Sequence, residues 1–262
     1  MPFALSQGFR IYYRVEGTSG KPPLVLVHSL GADHGMWDAQ MPALLPHFQI
    51  LRLDLRGHGA SDSSPSEYSI ELLAGDVLAV ANSAGFRTFG YCGLSLGGMI
   101  GQWIAANVPG KLERLVLANT SPKMADPAIF DTRRATVMQQ GMKAIEEVVM
   151  QRFFAASTLA ARDPYAESIR AVLLATDPAG YAGCCSAVRD MDNRPLLDKI
   201  KLPVLVISGD EDQSTPWTGH GEVLTNGITD ARSLLLHAAH LSNIDQPSQF
   251  TAALLEFLLP AA

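Results

Sequence analysis

The sequence predicts an α/β protein: a mostly parallel, twisted sheet flanked by helices, with a helical insertion in the second half. Three observations carry this. Short β-rich runs alternate with segments of helical periodicity. Several of those runs are continuously apolar, as strands covered on both faces are. Polar residues suited to chemistry cluster just after predicted strands, at the edge where open α/β sheets bind ligands.

Residues 9–15 alternate in period two between the turn signals Gln7-Gly8 and Glu16-Gly17 and read as the first strand. Residues 24–27 (Leu-Val-Leu-Val) form a buried run, and residues 49–54 read as the next strand. Residues 88–92, 115–118, 204–207 and the short 233–236 complete the set. Between them, residues 70–83 place apolar side chains at 70, 73, 77, 80 and 81, close to helical spacing. Residues 98–107 carry Met99, Trp103 and Ala106 and stop before Pro109-Gly110; Met99 and Trp103 read as core. Residues 249–259 supply a last helix through Phe250, Leu254, Phe257 and Leu258.

From about residue 121 to 198 the strand signal fades. The stretch keeps helical periodicity and is broken by Pro127, Pro164, Pro178 and Pro195. It reads as a helical cap over a core built from residues 1–120 and 199–262, the plainer alternative being more core helices. A cap suits a site that must exclude water and shape a pocket.

Composition narrows the function. The 262 residues are 47% hydrophobic, 18% charged and 7% aromatic, a balance for one substantial core and against disorder. Twenty Lys and Arg against 26 Asp and Glu give a net charge of −6 with no basic tract, which argues against nucleic acid as a partner. No apolar run approaches the roughly 18 residues of a membrane span. Residues 1–8 lack both a basic start and a long apolar stretch, so no signal peptide and a cytoplasmic location are expected. Three cysteines imply no full disulfide framework. Cys92 reads as core, and Cys184-Cys185 as a small buried pair rather than a strained vicinal disulfide. The seven histidines form no tight metal-ligand pattern, and the absence of H-x-H-x-D-H argues against a zinc lactonase.

The strongest local signal is Gly93-Leu94-Ser95-Leu96-Gly97-Gly98, between a predicted strand and a predicted helix. That is the setting a G-x-S-x-G nucleophile elbow requires, with glycines flanking a sharp turn that lifts the serine hydroxyl clear of the sheet. The plain alternative is a glycine-rich turn used for packing. A serine needs a base, and the base an orienting acid; after this elbow the expected order is Ser, acid, His. Candidate acids are Asp210, Glu211 and Asp212, after the 204–207 strand; candidate bases are His237 and His240, after the last one. Asp212 is favoured because the turn Gln213-Ser214-Thr215-Pro216 can hold its carboxylate. His240 is favoured because His237 ends the strand while His240 sits in the following loop. The oxyanion hole is expected from the N–H groups of Leu96 and, in the loop His28-Ser29-Leu30-Gly31, of Leu30. His58, in Asp54-Leu55-Arg56-Gly57-His58-Gly59-Ala60-Ser61, reads as structural rather than as a base, with Asp54 and Arg56 bracing loops.

Ser95, Asp212 and His240 in this order resemble the α/β-hydrolase superfamily over nearly the whole chain. The similarity is closer to 3-oxoadipate enol-lactonases at residues 54–61, 91–99, 112–120 and 183–192. It is weakest at residues 121–133 and 155–168. The resemblance implies a serine hydrolase that opens a small carboxylated enol-lactone without metal or organic cofactor. A protein of charge −6 needs a local cation for such a substrate. Arg133, Arg134 and Arg189 are candidates; the resemblance points to Arg133, while pairing with Asp131 or Asp190 is the bland role for any of them.

Overall fold

The protein, seen in a computed structural model, is described over residues 3–259. Eight strands form one sheet: β1 (Phe3–Ser6), β2 (Phe9–Glu16), β3 (Pro23–Val27), β4 (Gln49–Leu53), β5 (Phe89–Leu94), β6 (Leu112–Ala118), β7 (Val204–Gly209) and β8 (Arg232–Leu236). Their spatial order is β1-β2-β4-β3-β5-β6-β7-β8. The β1–β2 and β2–β4 pairs are antiparallel; all others are parallel. The parallel strands are the apolar runs of the sequence. Leu24, Val25, Leu26 and Val27 are fully buried, as are Leu115 to Ala118.

Three helices complete the sheet's framework: α1 (Ile70–Ser83), α2 (Leu96–Asn107) and, at the end of the described chain, Pro247–Leu258. Ser69 caps α1 by accepting the Leu72 N–H. Between β6 and β7 the chain is helical: α3 (Ala128–Gln140), α4 (Glu146–Phe153), α5 (Pro164–Ala175) and α6 (Pro178–Asp190), with shorter turns between. Helices α3 and α6 pack on each other. Among the described residues no helix is long and apolar enough to cross a membrane.

The departures from sequence expectation are local. Strand β1 went unpredicted, because four residues (Phe-Ala-Leu-Ser) are too few to show a period; β2 supplies the pairing. The prolines of the insertion open helices rather than break them. Pro164 and Pro178 occupy the first turns of α5 and α6, behind the capping carboxylates of Asp163 and Asp177. Helix α2 begins at Leu96, directly after Ser95, and not at Gly98.

Candidate active site

Ser95 sits between β5 and α2 with φ 55° and ψ −115°, a strained backbone for a residue with a Cβ. The surroundings enforce it. The Ser95 N–H donates to the Ala118 carbonyl at 2.9 Å, and Thr120 Oγ1 donates to the Ser95 carbonyl at 2.7 Å. Tyr91, buried under the turn, donates its hydroxyl to the Gly97 carbonyl at 2.6 Å. A Cβ on Gly93 would run into the Gly97 carbonyl, and one on Gly97 into the Val27 carbonyl. The turn therefore closes only with glycine at both places, and the serine is left at the C-terminal edge of the sheet.

Two further strand ends deliver the histidine and the acid. Asp212 Oδ2 accepts the His240 Nδ1–H at 2.9 Å, and both side chains are buried. Its other oxygen, Oδ1, accepts the N–H groups of Ser214 (2.7 Å) and Thr215 (3.0 Å). Thr215 Oγ1 and Asn119 Nδ2 also donate to Oδ2, at 2.8 and 3.0 Å. Burial alone would raise the Asp212 carboxyl. The His240 charge and hydrogen bond, with the Thr215 N–H and Asn119, outweigh it and hold the group well below the usual carboxylate range. Asp210 and Glu211 lie outside this arrangement, paired with the exposed His237. Behind His240, the Phe153 ring of α4 stacks on the imidazole, and the Phe153 carbonyl accepts the Leu241 N–H at 2.8 Å.

The loop holding Leu30 is pinned by two buried histidines. His28 donates Nδ1–H to the Ser29 carbonyl at 2.7 Å and accepts the Leu55 N–H at Nε2. His58 accepts the Gly31 N–H at Nε2 at 3.0 Å and donates Nδ1–H to the Arg56 carbonyl. Each ring therefore has one fixed neutral tautomer. Burial pushes His28 down to about 3, helped by its neighbour His58, and His58 down to about 4. Because the Ser29 carbonyl and the Leu30 N–H share one peptide plane, fixing the carbonyl aims the N–H. Arg56 is locked on Asp76 of α1 at 2.7 Å, and Asp54 accepts from the His34 and Ala60 N–H groups.

A cavity opens above these groups. Ser95, His240, Ser29, Leu30, Ser214 and Thr215 form its sheet side. The insertion closes the other side with Met124, Ile129, Phe130 and Arg133, with Val149, Arg152 and Phe153 of α4, and with Tyr181 and Val188 of α6. Leu96 is buried and does not line the cavity; its N–H is in the first turn of α2, where helical N–H groups lack an intrahelical acceptor. Of the candidate arginines, Arg133 faces the cavity, whereas Arg134 pairs with Glu67, and Arg189 with Asp131, Glu67 and Asp190.

Four residues lie where the sequence reading did not put them. Met99 lines the cavity as well as packing in the core; Trp103 packs on the core. Arg152 and Tyr181 went unnoticed inside an amphipathic pattern. Asn119, at φ 43°, binds Asp212 and the Ala239 carbonyl and accepts from Ser242. Its signal was a polar residue directly after an apolar strand. The three cysteines are free and buried. Folding also brings together Asp33, His34 and Asp54, and separately Asp210, Glu211 and His237, at distances a metal ion could bridge. Asp54 is already committed to His34, and the second group is exposed.

Comparison with known proteins agrees with this fold. A 3-oxoadipate enol-lactonase of Acinetobacter baylyi is 32% identical over 95% of this chain and 92% of its own. A putative carbamate hydrolase RutD of Agrobacterium fabrum is also 32% identical, over 96% of this chain and 99% of its own. The crystal structure of the enol-lactonase from Burkholderia xenovorans superposes with a TM-score of 0.95 at 37% identity, covering 98% of this chain and 99% of that one. The alpha/beta hydrolase fold family model matches residues 22–247, and with a sheet, elbow and cavity of this kind the chain belongs to that family of hydrolases.

Proposed function

We propose that the protein opens 3-oxoadipate enol-lactone to 3-oxoadipate through an acyl-enzyme on Ser95. His240 Nε2 takes the Ser95 proton as Oγ attacks the lactone carbonyl. The Leu30 and Leu96 N–H groups hold the tetrahedral oxyanion. Collapse breaks the ring C–O bond and expels an enolate oxygen, which receives the proton from His240 and tautomerises to the ketone. Water, deprotonated by His240, then cleaves the acyl-enzyme and frees the acid and Ser95. Asp212 keeps the imidazole in the tautomer with Nε2 free and stabilises its cation. The helices of residues 121–198 act as a cap that excludes water over a core of residues 1–120 and 199–262. Arg133 receives the substrate's carboxylate.

One observation carries this reading: Ser95, His240 and Arg133 line one cavity, so a nucleophile and an anion receptor address a single small molecule. A carbamate hydrolase is the second reading, favoured by the relatives of that name. It differs in its leaving group, since a nitrogen must be protonated as it departs while an enolate leaves readily. The test is a coupled assay in which the enol-lactone is generated enzymatically and its absorbance followed. Wild type is expected to exceed the spontaneous rate and Ser95→Ala to match it. Wild type at the spontaneous rate, with turnover of a carbamate instead, would select the second reading.

A further inference from the structure

We propose that Arg152 is the second half of a two-guanidinium receptor, so that the substrate carboxylate is held between Arg133 and Arg152 and these two residues set the preference for anionic acyl substrates. The inference rests on the reading of the cavity as a hydrolase site and extends its anion receptor to a second residue.

Both arginines are half-buried and line the cavity that contains Ser95, Arg133 from α3 and Arg152 from α4. Among the described residues neither makes an ion pair, and no Asp or Glu lines the cavity. The acids nearest in sequence are engaged elsewhere. Asp131 is held by Arg189, Glu146 by Lys143 and Arg170, and Glu147 by Gln151. Asp212, which holds His240, is saturated by its own donors.

Two like charges facing one partly dehydrated space repel each other, and water screens them poorly there. Burial and then the neighbouring Arg133 charge lower the proton affinity of Arg152. The hydroxyl beside them does not offset the charge: burial pushes the Tyr181 phenol up, so it stays protonated. A structural arginine at such a place ordinarily pairs with a carboxylate or covers a carbonyl. A bound anion would remove the repulsion, satisfy the donors of both forks, and accept a hydrogen bond from Tyr181. The surrounding Ile129, Phe130 and Val149 leave a ligand with one charged end and an apolar body as the class that fits. Phe130 lies under the Arg133 guanidinium, 5.5 Å from ring centroid to Cζ, and steadies it toward the cavity.

The test uses two readouts on the full chain. The first compares p-nitrophenyl butyrate, which is neutral, with mono-p-nitrophenyl glutarate, which carries a carboxylate at a similar length. Wild type is expected to favour the charged ester, and Arg152→Gln to reduce that preference by about 10- to 100-fold, mainly through KM. Arg152→Lys is expected to recover part of it. The second readout is calorimetric binding of glutarate to Ser95→Ala, expected to be lost when Arg152→Gln is added. Equal loss on both esters with unchanged glutarate binding would make Arg152 a support for the insertion and overturn the proposal. So would a wild type without preference for the charged ester and without glutarate binding. A wild type that shows both but leaves the enol-lactone untouched would sustain the receptor and defeat only the choice of lactone.

Discussion

Replacing Asp212 by Asn tests whether the carboxylate fixes the histidine tautomer or merely fills space. An asparagine is nearly isosteric but must place its NH2 on one of two sides. The Oδ1 side faces the Ser214 and Thr215 backbone N–H groups at 2.7 and 3.0 Å, donors that cannot change role. The Oδ2 side faces His240 Nδ1 at 2.9 Å and Thr215 Oγ1 at 2.8 Å, both of which can become acceptors, and Asn119 Nδ2 at 3.0 Å, which cannot, so it presents one fixed donor against two on the Oδ1 side. The amide NH2 therefore turns to His240 and forces the proton onto Nε2, where it blocks removal of the Ser95 proton. The expected loss is about 10³- to 10⁴-fold in kcat with KM changed little. Stability should fall by about 1–3 kcal/mol as charge-assisted bonds become neutral ones. Steady-state hydrolysis of p-nitrophenyl butyrate, with urea unfolding alongside, measures both. Asp210→Asn is the control, because its carboxylate is exposed and pairs with an exposed histidine; it should cost under about 0.5 kcal/mol and leave kcat within about twofold. A loss below about tenfold for Asp212→Asn in a folded protein would refute the tautomer argument.

Other outcomes follow from the same structure. Ser95→Gly should abolish turnover yet stabilise the fold by about 1–3 kcal/mol, seen as a higher Tm, because glycine accepts the positive φ without strain; a lower Tm would contradict the strained elbow. Gly97→Ala should destabilise by more than about 2 kcal/mol or prevent expression, since the new Cβ meets the Val27 carbonyl. His58→Leu strands the buried Gly31 N–H and should cost about 1–3 kcal/mol together with kcat, while His58→Gln, which keeps an acceptor, should lose much less of both; equal losses would remove the hydrogen bond as the cause. His28 and His58 are held neutral, so the unfolded chain binds their protons first as pH falls. Their contribution to stability is complete above about pH 6.5 and is lost toward pH 4 and below, with a slope approaching two protons. Urea midpoints across that range measure it, and His58→Gln should reduce the slope by about one proton; a flat profile in the wild type would count against buried neutral rings.

The sheet was legible because its central strands are covered on both faces and so are written as unbroken apolar runs. The elbow was legible because two close backbone approaches leave no room for anything but glycine at Gly93 and Gly97. Edge strand β1 was not, having neither length nor a buried second face. Of the candidate groups, Asp212 and His240 could be placed by order along the chain, since chain order maps onto strand ends. Asn119 could not, because its function as a hub depends on a third strand end meeting the other two. Arg152 was invisible for a related reason. On a short helix that mixes Glu146, Glu147, Gln151 and Arg152 with apolar residues, the arginine carries no mark of facing inward, and only the packing of α4 over the cavity distinguishes it.

Asp245 joins parts of the molecule that the topology keeps separate. Its Oδ2 accepts the N–H groups of Ala239 (2.8 Å) and Ala155 (3.0 Å), and its Oδ1 accepts the Thr158 hydroxyl at 2.6 Å. One carboxylate thus moors the loop of His240 to the segment that follows α4. Specificity cannot then be exchanged by grafting a foreign insertion at the ends of β6 and β7 alone. A chimera would have to carry residues 153–158 and the 239–245 loop as a matched set, or the imbalance would reach the imidazole before any new substrate did.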